Sequence, residues 1–234
     1  MSRARPSKPV KRPPPAALKA PGGARAVAPA RADATRERLM AATHELFVER
    51  AGADVSVGDI CARAGVNVAM VKYCFGSKDG LLQELLDRIT AGFAQDVSRL
   101  DEQELDAEEK LRLHVAAIVN GYVRYPYLNR LINTQLLASD AKVVKRLSRH
   151  YAQPMRAWHE RMLSEGARDG TLRKVDPTFF FFTVIGMAEF FFTAQPIMRQ
   201  AFAGRDLDES TVTRFIDHTV EVLLHGIGRR ASAR

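Results

Sequence analysis

Residues 67–78, NVAMVKYCFGSK, place an amide, a small alanine, a phenol and two lysines close together: Asn67, Ala69, Tyr73, Lys72 and Lys78. Ammonium, amide and hydroxyl groups at such spacing can donate to phosphate oxygens, and a side chain as small as Ala69 lets a helix approach base edges or a thymine methyl. Other chemistry-bearing residue types do not assemble. The histidines, His44, His114, His150, His159, His218 and His225, contain no H-E-x-x-H or comparable metal spacing. Cys61 and Cys74 make no C-x-x-C pair, so they read as free thiols rather than a disulfide framework or a zinc site. Neither a G-x-S-x-G elbow nor a phosphate-cradling glycine loop occurs. These observations point away from catalysis and imply neither a metal nor a cofactor.

The chain has 234 residues, 46% of them apolar, enough to bury a substantial core. Apolar runs long enough to cross a membrane are missing, and no apolar segment with a cleavage site follows the charged N-terminus. A cytoplasmic location is expected, with no membrane partner. The net charge of +8 lies wholly in residues 1–32, which hold eight basic side chains, no acidic one and seven of the eleven prolines. That composition buries too little apolar surface to offset chain entropy and predicts a disordered arm. The arm reads either as a segment that follows DNA phosphates or enters a minor groove, or as a solubilising tail without a specific partner.

From residue 33 onward the pattern turns helical. Leu39, Thr43, Leu46, Phe47 and Arg50 recur at three-to-four-residue spacing, with Asp33 or Thr35 able to cap the start and Gly52 following the end. Ser56 can cap a second helix over 57–63 that stops at Gly65, and Asn67 a third over 68–75. Two short helices joined by a tight glycine turn form a helix-turn-helix unit, in which the second helix enters a major groove. A fourth helix is expected over 77–100, then an acidic loop over 101–109. Further helices are expected over 107–125, 127–138, 141–168 with a bend near Pro154, 177–194 and 208–227. Asp176 before Pro177 is a helix-start signal. Strand-like alternation is absent, so the fold class is all-α.

The run VSVGDICARAGVNVAMVKYCFGSKDGLL, residues 55–82, resembles the N-terminal DNA-binding domain of the TetR family of transcriptional regulators. The likeness rests on the Asp59-Ile60 pair, the Ala64-Gly65-Val66 turn, the aromatics Tyr73 and Phe75, and the Gly76-Ser77-Lys78-Asp79 start of the fourth helix, all in register. It departs from the family's usual residues at Cys61, Lys72 and Cys74. The resemblance implies a three-helix helix-turn-helix domain over 33–80, a helical effector-binding and dimerisation domain over 81–228, and a tail over 229–234. It also implies a homodimeric repressor that reads a palindromic double-stranded DNA operator and is released by a small-molecule effector. Together with the residue chemistry, it assigns Lys72 and Tyr73 to phosphate or base contact, Asn67 to the recognition-helix cap beside a phosphate, and Lys78 to a phosphate at the start of the fourth helix. Thr35 and Arg36 are further phosphate candidates, while Val71 and Phe75 are expected in the core. Residues 33–80 hold six basic and seven acidic side chains, so placement rather than a diffuse basic field must carry the binding.

In DPTFFFFTVIGMAEFFF, residues 176–192, adjacent aromatics point in different directions on a helix, which must be covered on most sides. One side is expected in the core and the other against a second copy of the chain, together with the last helix and its stripe of Val212, Phe215, Ile216, Thr219, Val222 and Leu223. Phe180, Phe191, Phe215, Thr219 and Val222 are the expected dimer residues. The resemblance adds an effector cavity among the middle helices, for which Tyr122, Asn133, Gln135, Trp158, Phe182 and Glu189 are candidates, each also readable as core or surface. Glu189, a carboxylate on an otherwise apolar helix, can select a cationic ligand or hydrogen-bond a neutral one. The competing class is an architectural DNA-binding protein without an effector, which would bind without sequence preference.

Overall fold

The computed structural model describes residues 24–50, 54–137, 141–201 and 207–227, with side chains described from residue 32 onward. Its helices are α1 (Ala24–Glu49), α2 (Val57–Ala64), α3 (Ala69–Phe75), α4 (Lys78–Asp101), α5 (Ala107–Arg124) and α6 (Leu128–Leu137). They continue as α7 (Ala141–Leu147), a π-helical turn (Ser148–Ala152), α8 (Gln153–Asp169), α9 (Pro177–Thr193), α10 (Gln195–Ala201) and α11 (Glu209–Ile227). The described residues contain no β-strand, as the sequence pattern requires.

Three element boundaries differ from the sequence expectation. Helix α1 starts at Ala24, so neither Asp33 nor Thr35 caps it, and residues 24–32 of the expected arm are helical. Residues 1–23 lie outside the described residues. The helix expected over 141–168 is divided by the π-helical turn. Pro154 has no N–H and its ring crowds the carbonyl one turn back, and the chain takes up this misfit just ahead of it, where the Gln153 N–H donates to the Ser148 carbonyl. Helix α10 was not expected; it leaves α9 at a bend of 61° and has Pro196 in its first turn, where a missing N–H costs no helical bond.

The helix-turn-helix is set by local chemistry. Ser56 and Asp59 form a reciprocal capping box at the start of α2, and Gly65 ends that helix in the left-handed region at φ +63°. Ser77 caps α4 by accepting from the Gly80 N–H at 3.0 Å. A Cβ on Gly80 would stand 2.1 Å from the Phe75 carbonyl oxygen, so only glycine lets α4 begin this close to the end of α3. Leu39, Leu46, Ile60, Val71 and Leu81 close the small core of α1 to α4, and Leu111, Val115, Trp158, Met162, Phe180 and Val184 belong to the core of the larger helical region. The two regions meet at Tyr127, whose hydroxyl is 2.7 Å from His44 Nδ1 and whose ring lies 5.0 Å from that of Phe47. No single helix among the described residues is long and apolar enough to cross a membrane.

Candidate nucleic-acid interface and effector cavity

The turn after Gly65 aims α3 outward. Asn67 accepts from the Ala69 N–H at 2.8 Å, which organises the first turn of α3 as expected, although the formal cap position falls on Val68. Asn67, Val68, Ala69, Lys72 and Tyr73 are all exposed, Tyr73 to 74%, while Val71 on the opposite side is buried as expected. A short helix therefore presents an amide, an ammonium and a phenol to solvent around a small residue. Lys78, in the first turn of α4, lies beside this face and pairs with Asp54 at 2.6 Å. The Asp54 side chain is 84% exposed, which leaves the pair open to competition from a phosphate. Thr35 is half-buried on α1.

Arg36 does not follow the expectation of a phosphate contact. Its guanidinium grips Glu84 through Nε and Nη2, donates through Nη1 to the Cys74 carbonyl and lies 4.6 Å over the Phe75 ring. Phe75 is correspondingly only half-buried beneath it. All three nitrogens of Arg36 thus hold α1, α3 and α4 together. A second fork, Arg88 to Glu37, repeats the α1 to α4 link. Farther along α4, Arg146 of α7 reaches both Asp87 and Gln83, and Gln83 contacts Gln135 of α6. The same helix then supplies Phe93, Asp96, Val97 and Leu100 to a cavity. A rise of 1.5 Å per residue makes the 24-residue α4 a rod of about 36 Å that starts beside α3 and runs along that cavity.

The cavity has a free volume of about 30 Å³ and is walled by α4, α5, the start of α6, the π-helical turn and α8. Among the proposed lining residues only Tyr122 borders it, buried and stacked on Phe192 with ring centroids 5.5 Å apart. Asn133 and Phe182 are exposed. At 100° per residue Asn133 lies on the opposite side of α6 from buried Leu131 and Gln135, as Phe182 does on α9 from buried Phe180. Gln135 is buried but faces Gln83 of α4. Trp158 is fully buried behind the lining residue His114, 4.5 Å from its ring, and its indole N–H finds no acceptor among the described residues. Glu189 is half-buried on α9.

Sequence reasoning missed the rest of the wall, including Phe93, Asp96, His114 and Tyr151. Phe93 and Asp96 come from α4, His114 from α5 and Tyr151 from the π-helical turn, so no spacing along the chain joins them. Tyr151 stands on the π-helical turn, and its ring also borders a surface cleft of about 220 Å³ between α4 and α8. Burial raises the Tyr122 and Tyr151 phenols above the usual tyrosine range, with a further contribution from the negative charge of Glu189. Behind the cavity His114 and His159 share a buried Nε2 to Nε2 hydrogen bond of 2.8 Å. Burial lowers both: His114 falls well below its usual range and His159 to about 3.

The aromatic-rich α9 divides as its composition requires. Phe180, Phe181, Val184 and Ala188 face inward, whereas Phe179, Phe182 and Phe190 are exposed to 73%, 65% and 69%, with Ile197 of α10 at 60%. Two expected dimer residues are corrected by this arrangement. Phe180 packs on His159 at 5.0 Å and Thr219 is 2% exposed, so neither is accessible to a second copy. Phe191 and Phe215 stack on each other within the chain at 3.7 Å and remain half-exposed, and Val222 is exposed.

Family models match both regions. One described as "Bacterial regulatory proteins, tetR family" covers residues 39–85, and one described as "Tetracyclin repressor-like, C-terminal domain" covers residues 104–231. The HTH-type transcriptional repressor NicS of Pseudomonas putida is 33% identical over 106 residues, 45% of this chain and 50% of that protein. The HTH-type transcriptional regulator BetI 1 of Chromohalobacter salexigens is 30% identical over 103 residues, 44% and 50% respectively. The chain spans about half the length of the curated relatives it matches. Among solved structures, the transcriptional regulator FadR from Bacillus subtilis in complex with stearoyl-CoA superposes with a TM-score of 0.63 at 18% identity, over 82% of this chain and 98% of that one. The ketosteroid transcriptional regulator KstR2 of Mycobacterium tuberculosis does so with 0.62 at 18%, over 83% and 95%. At these identities the likeness to the solved structures is one of fold.

Proposed function

The chain belongs to the TetR family of bacterial regulatory proteins, and from that premise we propose that it is a homodimeric transcriptional repressor released from a palindromic DNA operator by a small molecule. The observation that carries this reading is the exposed face of α3 on a braced three-helix unit, joined by the single rod of α4 to an aromatic cavity. Lys72, Tyr73 and Asn67 contact phosphates or base edges, Ala69 lets the helix sit deep in the groove, and Lys78 exchanges Asp54 for a phosphate. Arg36 holds the reading helix in place instead of touching DNA. The protein works in the cytoplasm, where its operator lies.

Two copies pair through the exposed aromatic stripe of α9 and the outer side of α11. Pairing sets the two α3 helices about 34 to 36 Å apart, one turn of duplex, as a two-fold operator requires. The cavity abuts α4, so a ligand that fits only when α4 shifts changes that spacing. Ligand binding alone does not release DNA: the ligand must prefer the DNA-incompetent arrangement, by about 5.5 kcal/mol to move the population from 1:99 to 99:1.

Selection of bound fragments from a random DNA pool by the purified full-length protein tests the proposal. A two-fold related motif is expected. Retention of DNA without an enriched motif would assign the protein to the architectural class instead, and loss of all retention would remove the DNA-binding reading.

A further inference from the structure

Resting on that reading, we infer that the effector of this protein is a small organic cation, held among the rings of Phe93, Tyr122 and Tyr151 and paired with the carboxylate of Glu189.

The lining supplies aromatic surface without positive charge. Phe93 and Tyr151 lie 6.4 Å apart and Tyr122 lines the same space, while no lysine or arginine borders it among the described residues. Aromatic faces attract ammonium groups through the ring quadrupole, most strongly where water is excluded. The histidine in the wall, His114, and its partner His159 are both held in the neutral form by burial. The acidic residue in the lining, Asp96, lies on the exposed rim, 3.6 Å from Arg99.

Glu189 does not itself border the cavity but stands beside the two tyrosines of its wall. On α9 it shares a face with Phe181, Ile185 and Phe192, at spacings of about one to two turns. Phe181 meets the Tyr151 ring at 6.3 Å and Phe192 stacks on Tyr122, so Glu189 stands between the contacts to both tyrosines. Its negative charge acts on both phenols. Among the described residues no side-chain donor or cation engages its carboxylate; the contact at this position is Asn129 Nδ2 donating to the Glu189 backbone carbonyl at 3.1 Å. An anionic ligand would be repelled by Glu189, and no lysine or arginine in the lining would offset that repulsion.

Size follows from the two spaces that share Val97, Tyr151 and Met155 as a common wall. The inner cavity of about 30 Å³ has room for about one water, and the outer cleft of about 220 Å³ is open to solvent. Movement of Tyr151 on its π-helical turn would join them. Even joined they remain below the roughly 300 Å³ at which pockets for drug-sized ligands begin, so the cation is a small one. The outer cleft is bordered by the Arg161 to Asp101 pair at 2.8 Å, which already neutralises the one arginine there.

Trp158 is the sole tryptophan and lies directly behind the wall, so its fluorescence reports occupancy. The full-length protein is titrated with tetramethylammonium, tetraethylammonium and benzyltrimethylammonium, and in parallel with benzyl alcohol and phenylacetate at the same ionic strength. At least one cation is expected to give a saturable change in Trp158 emission and to bind about tenfold or more tightly than the neutral and anionic probes. Glu189→Gln is expected to remove that preference and Glu189→Asp to keep part of it, with the unliganded emission maximum checking the fold. Binding of phenylacetate or benzyl alcohol as tight as that of every cation, no saturable response to any cation, or an unchanged preference in a folded Glu189→Gln protein would overturn the inference. DNA retention by the same preparation separates the two readings. If retention stands while the cations fail, only the ligand class is wrong, whereas loss of retention without any probe rejects the regulator itself.

Discussion

Arg36 and Glu84 join α1 to α4 through two parallel hydrogen bonds, Nε to Oε1 at 2.7 Å and Nη2 to Oε2 at 2.6 Å. The fork geometry is specific to guanidinium and carboxylate. Together with the Nη1 bond from Arg36 to the Cys74 carbonyl of α3, it ties the reading helix to the start of α4. Both side chains are about a third exposed, at 36% and 31%, and water screens the pair. Arg36→Lys keeps the charge but loses the fork, and is expected to destabilise the fold by about 1 kcal/mol. Denaturant titration checks the value, and an operator titration is expected to show weaker binding as α3 loses its brace.

Gly80 and Gly92 lie on the same helix with opposite prospects. A Cβ at Gly80 would meet the Phe75 carbonyl oxygen at 2.1 Å, and one at Gly92 would meet nothing within 4 Å. Gly80→Ala is therefore expected to cost about 1 to 3 kcal/mol by forcing α3 from α4. Gly92→Ala is expected to stabilise the protein by up to about 1 kcal/mol through helix propensity. Thermal unfolding of the two variants checks the contrast; equal effects would contradict the close α3 to α4 approach.

Lys72 and Tyr73 are exposed, so their replacement leaves the fold unstrained. Lys72→Ala is expected to reduce the salt slope of DNA binding by about one counterion, and Tyr73→Phe to weaken binding by about fivefold, the worth of one hydrogen bond. The oligomeric state is expected to be unchanged in both. Two variants that bind the operator like the parent would move the reading surface away from this face.

Phe182 and Phe190 offer the cleanest test of pairing, because both are largely exposed in the single chain. Phe182→Asp with Phe190→Asp is expected to yield a folded monomer by sedimentation, with operator affinity reduced in step. A dimer of undiminished stability would place the interface elsewhere.

The buried His114 and His159 pair predicts an acid limit. Folding lowers both histidines, His159 to about 3, so the unfolded chain binds these protons first. Their contribution to stability is present above the unfolded value of about 6.5 and is lost as pH falls from there toward the folded values. The expected slope between about pH 6 and 4 is near 1.4 kcal/mol per pH unit for each histidine. His159→Gln is expected to flatten it, measured as denaturant midpoints across that range.

The sequence by itself determined most of the helices and the reading unit. The capping box at Ser56, the left-handed turn at Gly65 and the Ser77 cap are local hydrogen-bond arrangements, so residue type and spacing suffice to locate them. Exposure of Lys72 and Tyr73 opposite Val71 follows from helical period alone. The aromatic run over 176–192 likewise announced a helix covered on most sides. Sequence spacing did not decide which way a long polar side chain turns: Arg36 had the charge for a phosphate, but a carboxylate 48 residues away holds it inward. Nor did it decide what lines the cavity. Phe93 and Tyr151 stand far along the chain from Tyr122, the one lining residue the sequence reading named, whereas Asn133 and Phe182 fall on outer helix faces that only the packing of α6 and α9 reveals. Local structure depends on neighbours along the chain and is written in their order. A cavity and an ion pair across elements depend on distances that exist only once the helices have packed.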